Sequence, residues 1–202
     1  MFTGLIQHLG TLLERRDQPE GARLVIGTDD WDHQPGTGDS IAINGCCLTV
    51  VEHDPKTLSF DVVQTTLGLT TLGTIAPGAR VNLEHAATPS TLLGGHLVQG
   101  HVEGTGRVLS NETDPERGWL LTLEAPPAVG QHLIEKGSIS IDGVSLTIAG
   151  LESNRVEIAL IPETLRRTTL KGLQAGDLVN LEGDCLAKMV ASLIARGQPP
   201  RG

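Results

Sequence analysis

Apolar positions along the 202 residues fall in short runs, not long periodic stretches. In the first half, RLVIGT (23–28), SIAING (40–45), CCLTVVE (46–52), LSFDVV (58–63) and RVNLEHA (80–86) are partly β-branched and separated by Gly, Pro, Asp or Asn, which predicts strands joined by turns. WLLTLEA (119–125), SISIDG (138–143), VSLTIAG (144–150), RVEIALI (155–161) and LVNLEGD (178–184) do the same in the second half. Asn44-Gly45 and Asp142-Gly143 are dipeptides that tolerate the positive φ of a tight hairpin turn. One stretch reads differently: DCLAKMVASLIAR (184–196) carries Leu186, Met189, Val190, Leu193 and Ile194 at helical spacing. That helix either caps the second half or packs on other subunits. The GQPPRG that follows has the helix breakers of a loose tail.

The two halves match at a fixed offset. Ser40, Ile41, Ile43, Gly45, Leu48 and Thr49 recur 98 residues on as Ser138, Ile139, Ile141, Gly143, Leu146 and Thr147. At the same offset TLGLTTL (66–72) returns as TLRRTTL (164–170), and VNLE (81–84) returns unchanged at 179–182. Three blocks in one order at one offset are a tandem duplication. The expected organisation is a first unit over 1–90, a second over 91–182, and a helix with its tail over 183–202. Regularly spaced short strands predict an all-β fold of two antiparallel barrels, since closure removes exposed strand edges.

Bulk properties narrow the function. A net charge of −9 and 2% aromatic content argue against nucleic acid, which requires basic tracks and stacking rings. No apolar run reaches the roughly 18 residues of a membrane span, and the start lacks the basic-then-apolar pattern of a signal peptide, so a cytoplasmic protein is expected. Cys46, Cys47 and Cys185 are odd in number and two are adjacent, which suits reduced thiols better than a disulfide framework or a metal knuckle.

MFTG at the start, NGCCLTV, GGHLVQGH (94–101), GSISIDGVSLTI (137–148), IPETL followed by TTL, and VNLEGD together resemble the riboflavin synthase family. The resemblance implies two six-stranded Greek-key barrels and a C-terminal helix, assembled as a homotrimer around those helices. It implies one 6,7-dimethyl-8-ribityllumazine per barrel, with the active site between the first barrel of one subunit and the second barrel of another. The implied reaction moves a four-carbon unit between two lumazines, with no cofactor and no metal. A non-catalytic lumazine- or flavin-binding antenna is the alternative.

The same resemblance points to individual residues. Cys47 matches a cysteine lining the catalytic site, while its counterpart in the second half is Ser145; taken alone, a free cysteine is more often core filler. Ser40 matches a serine at the donor ring. His101 matches a histidine near the reacting rings, where imidazole is suited to moving a methyl proton. Phe2, Thr3 and Gly4 match an N-terminal segment that folds into the site, and Asp184 matches a position on the far side of the reacting pair, where it also suits a helix N-cap. Thr49, Thr66, His96, Thr147, Glu163 and Thr164 are implied substrate contacts. Thr65 stands where the family usually carries Glu, which removes one carboxylate from the first barrel.

Overall fold

A computed structural model describes residues 1–197, so all of the expected tail except Gly197 lies outside the described residues. The first barrel consists of β1 (His8–Gln18), β2 (Gly21–Gly27), β3 (Ser40–Ile43), β4 (Cys46–His53), β5 (Thr57–Val63) and β6 (Arg80–His85). The second consists of β7 (Gly104–Asp114), β8 (Gly118–Glu124), β9 (Ser138–Ile141), β10 (Val144–Glu152), β11 (Arg155–Leu160) and β12 (Leu178–Gly183). Both rings are closed and antiparallel, with the same circular order: β1-β2-β5-β4-β3-β6 and its equivalent in the second half. Short helices α1 (Gln64–Leu69) and α3 (Pro162–Arg167) follow the fifth strand of each ring, and α2 (Pro127–Gly130) lies in the β8–β9 connection.

Alternation along each strand sends one face inward. Ile26, Ile41, Ile43, Phe60 and Leu83 fill the first ring, and Leu121, Ile139, Ile141, Ile158 and Leu181 fill the second, all fully buried. Both first strands escape the hydrophobic pattern. HLGTLLERRDQ and GTGRVLSNETD carry charged or small residues and a bulge each, between Leu12 and Glu14 and between Val108 and Ser110, which breaks strict alternation.

The hairpin turns expected at 44–45 and 142–143 are present, with positive φ at all four residues. They meet back to back: a Cβ on Gly45 would lie 2.6 Å from the Gly143 nitrogen, and one on Gly143 would lie 2.7 Å from the Gly45 nitrogen. Around this contact the halves exchange equivalent bonds. Asn82 Nδ2 donates to the Asp142 carbonyl (2.9 Å) and Asn180 Nδ2 to the Asn44 carbonyl (2.8 Å). The Asn82 Oδ1 accepts from Thr169 N–H (2.9 Å), and the Asn180 Oδ1 from Thr71 N–H (2.7 Å). The duplicated units are therefore related by a pseudo-twofold axis through the two turns.

The last helix, α4 (Cys185–Gly197), forms where helical spacing predicts it. Leu186, Met189, Val190, Leu193 and Ile194 are each more than half exposed, so this apolar face has no partner within the described chain. It does not cap the second barrel through these residues. No helix among the described residues is long and apolar enough to cross a membrane.

Candidate functional site

Two segments outside the rings build the site. Phe2 and Val98 exchange a pair of backbone hydrogen bonds, N–H to O, at 2.7 and 3.1 Å, where the two leading segments run antiparallel. Each segment is anchored by a buried glutamate. Glu84 accepts from Thr3 N–H and Oγ1 (both 2.7 Å) and from Gly4 N–H (3.0 Å). Glu182 accepts from the N–H groups of Gln99 (2.7 Å), Gly100 (2.9 Å) and His101 (2.9 Å). Burial raises both carboxyls above the usual range, while these donors pull them down. The pairing Phe2 with Val98 and Gly4 with Gly100 sets an offset of 96 here, not 98, which hid this part of the duplication from the sequence comparison. VNLE was visible as a repeat, but its glutamates were not read as the clamps they are.

At the first barrel the clamps bring together Phe2, Ala42 and Val98, all buried, with Cys47 and Ala86 packed against them. Cys47 lies on the outward face of β4, half-buried, and its N–H donates to the Gly100 carbonyl at 2.9 Å. Gly100 has φ +82°, and a Cβ there would lie 2.6 Å from the Cys47 Cβ and 2.9 Å from the Phe2 ring. Only glycine allows the second leading segment to approach Cys47 this closely. The adjacent Cys46 points into the core, where burial, with a smaller contribution from Cys47, pushes its thiol up to about 12. Of the adjacent pair, Cys47 alone is presented outward. Ser40 pairs with Thr49 across the β3–β4 hairpin, half-buried and exposed respectively, and His101 is exposed immediately after Gly100.

The second barrel repeats the arrangement with different chemistry. Ser145 occupies the position of Cys47, and its N–H donates to the Gly4 carbonyl at 2.8 Å. Gly4 (φ +74°) and Gly95 both abut it; a Cβ on Gly4 would lie 2.5 Å from the Ser145 Cβ. His96 Nδ1 lies 2.7 Å from Ser145 Oγ, and its Nε2 is buried with no protein partner among the described residues. Burial lowers the His96 pKa and the charge of Asp184 opposes that shift, so Asp184 lies on this side too. Asp184 also receives the Leu186 N–H at 2.9 Å, the N-cap bond at the start of α4. Thr147 is exposed on β10, the twin of Thr49.

The remaining implied contacts lie at the fifth strand and short helix of each ring. Val63 and Ile161, twins at 60% and 62% exposure, present apolar surface beside Thr65 and Thr66 on α1 and beside Glu163 and Thr164 on α3. Thr65 and Glu163 are exposed, whereas Thr66 and Thr164 are half-buried, their carbonyls accepting from Thr70 and Thr168 hydroxyls. Glu163 is held by Arg166 (2.7 Å) and Arg167 (2.5 Å). The sequence-implied residues thus fall into two clusters: Phe2, Ser40, Cys47, Thr49 and His101 with the first barrel, and Gly4, His96, Thr147 and Asp184 with the second. Thr3 is tied to the first barrel through Glu84. Among the described residues, no group of three or more His, Cys, Asp or Glu is arranged to hold a metal ion.

Residues 3–86 and 99–184 each match the lumazine binding domain family. The chain is 43% identical over 199 residues to the riboflavin synthase of Mycobacterium tuberculosis (strain ATCC 25618 / H37Rv), covering 96% of this chain and 98% of that one. It is 37% identical over 188 residues to the riboflavin synthase of Bacillus subtilis (strain 168), covering 93% and 87%. Among solved structures, LumP complexed with 6,7-dimethyl-8-(1'-D-ribityl) lumazine superposes with a TM-score of 0.80 at 26% identity, covering 90% of this chain and 98% of that one. LumP complexed with riboflavin gives 0.81 at 28% identity, covering 91% and 99%.

Proposed function

The chain belongs to the riboflavin synthase family of duplicated lumazine-binding barrels, and from that premise we propose that it catalyses the dismutation of two molecules of 6,7-dimethyl-8-ribityllumazine. One molecule gives up a four-carbon unit and leaves as 5-amino-6-ribitylaminopyrimidinedione; the other accepts it and becomes riboflavin. No atoms are left over and no net oxidation occurs, so the reaction balances without a redox cofactor or a second substrate. The observation that carries this reading is a single frame built twice with one difference at its centre. Cys47 and Ser145 occupy equivalent outward positions, each bonded through its N–H to a glycine carbonyl of the crossing segment.

In this reading each barrel binds one lumazine over its outer face. Val63 and Ile161 supply apolar contact to the rings, while Thr49, Thr66, Thr147, Glu163 and Thr164 bond to pyrimidine edges and ribityl hydroxyls. Ser40 and Cys47 assist addition at the donor ring, and His101 moves the proton of the acidic 7-methyl group. Holding two rings in reacting geometry lowers the barrier by as much as about 7–11 kcal/mol without any further chemistry. Thr49, Thr65, His101, Thr147 and Glu163 all lie exposed in the single chain, and so does the apolar face of α4. Both facts support a homotrimer joined through α4, in which a first barrel faces the second barrel of another copy. The assembly is proposed to work in the cytoplasm.

Incubation of the purified protein with 6,7-dimethyl-8-ribityllumazine alone, without added metal or cofactor, tests the proposal. Riboflavin and the pyrimidinedione are expected in equal amounts over many turnovers. Tight binding without turnover would instead identify a lumazine-binding antenna.

A further inference from the structure

The pseudo-twofold axis makes each barrel a control for the other, and one groove fails to match its twin. It lies where Ile6 and Gln7, the first residues of β1 (His8 and Leu9) and Arg80 of β6 in the first barrel face the end of α3, with Arg166 and Arg167, in the second; its volume is about 360 Å³. The corresponding positions on the other side of the axis are Leu178, Gly68 and Leu69. Leu178 and Leu69 are 43% and 44% exposed and carry no charge. Three of the chain's 15 Lys and Arg residues therefore line one groove of a protein whose net charge is −9, while the equivalent residues opposite are uncharged.

Among the described residues, only one carboxylate is directly paired with these arginines. Arg80 donates one bond, to the Leu9 carbonyl at 3.1 Å, and makes no ion pair among the described residues. Arg166 and Arg167 share the single carboxylate of Glu163. Three guanidiniums with one directly paired carboxylate leave N–H donors facing the groove without a protein acceptor among the described residues. At His8, which lines the groove, burial lowers the pKa first and Arg80 second, while the charges of Asp30 and Asp29 raise it.

We infer that this groove between β1, β6 and α3 binds the phosphate of a small phosphorylated metabolite. A tetrahedral oxyanion with three terminal oxygens matches several guanidinium forks at once, whereas a carboxylate with two oxygens is already supplied by Glu163. The volume falls at the low end of small-molecule sites, room for a phosphate or pyrophosphate and a small organic group.

Calorimetric titration of the full chain with inorganic phosphate and pyrophosphate, at an ionic strength held constant with chloride, tests the assignment. Pyrophosphate is expected to bind, with affinity falling roughly tenfold or more in Arg80→Leu and in the double variant Arg166→Gly/Arg167→Leu, each of which copies the residues of the twin position. Arg155→Leu, outside the groove, should bind as the parent does. Absence of binding to the parent, or equal binding by parent and Arg80→Leu, overturns the inference. Absence of binding combined with a smaller oligomer for Arg80→Leu would overturn it too, and would assign the groove to a contact between copies.

Discussion

The two barrels share a ring order, a turn contact and a glutamate clamp, yet differ at the buried turns and at a few outward positions. Asn44 faces Asp142, Cys47 faces Ser145, and Thr65-Gly68-Leu69 on α1 faces Glu163-Arg166-Arg167 on α3. Inward positions keep their character, because a closed ring filled with Ile, Leu and Val tolerates little change in volume. Outward positions on the β3–β4 and β9–β10 hairpins are free of that constraint. The duplication has thus kept the frame and changed outward positions, which in the proposed function are the ones that meet the ligand.

The shared frame is the most sensitive to attack. Gly45→Ala or Gly143→Ala places a methyl 2.6–2.7 Å from the opposing turn backbone, well inside van der Waals contact, at a residue with positive φ. Each should cost about 3 kcal/mol or more, from overpacking and left-handed strain together. Thermal melts should fall by a similar amount for both variants if the pseudo-symmetry is as close as the paired bonds indicate.

Asp142 sharpens the comparison because its twin is the isosteric neutral Asn44. Burial pushes the Asp142 carboxyl up to about 7, well above the usual carboxylate range, against the opposing pull of the hydrogen bond it accepts from Asn180 N–H. The folded state therefore holds this proton over a range in which the unfolded chain has released it. Its contribution is fully present below about pH 4 and is lost as pH rises toward 7. Asp142→Asn should raise stability relative to the parent by a few kcal/mol at neutral pH, with the difference shrinking as pH falls to 4. Melting curves of the two proteins across this range provide the check, and a pH-independent difference would contradict the assigned protonation.

These turns were legible in the sequence, as were ten of the twelve strands and α4. β1 and β7 were not, because bulges and charged residues interrupt their alternation, leaving each with a single large, nearly fully buried core side chain, Leu12 and Val108. The candidate site residues were named only through family resemblance. Nothing in the hydrophobic pattern marks Glu84 and Glu182 as clamps, since a carboxylate ending VNLE reads as a solvated strand end until the crossing segments supply their N–H groups. The His96–Ser145 contact was equally hidden: the two residues are 49 positions apart, and the leading segments repeat at an offset of their own.

A smaller effect is expected at α1. Thr65→Glu gives the first barrel the carboxylate that the second has in Glu163, and a charge-assisted bond to a ribityl hydroxyl is worth about 1.5–3 kcal/mol. Fluorescence titration with 6,7-dimethyl-8-ribityllumazine should show tighter binding at one class of site and no change at the other. If both classes change equally, the α1 and α3 surfaces do not belong to separate ligands.

The reciprocal exchange at the centre of the two frames, Cys47→Ser and Ser145→Cys, measured as kcat and KM for riboflavin formation, tests the central claim most directly. Cys47→Ser should lower kcat by about tenfold, the effect of losing roughly 1.4 kcal/mol of transition-state stabilisation, with KM little changed. Ser145→Cys should not restore that loss when the two are combined, because the second barrel provides the place without the neighbouring Phe2 and His101. Full activity in Cys47→Ser, or full recovery in the double variant, would contradict a frame written twice with its chemistry on one side.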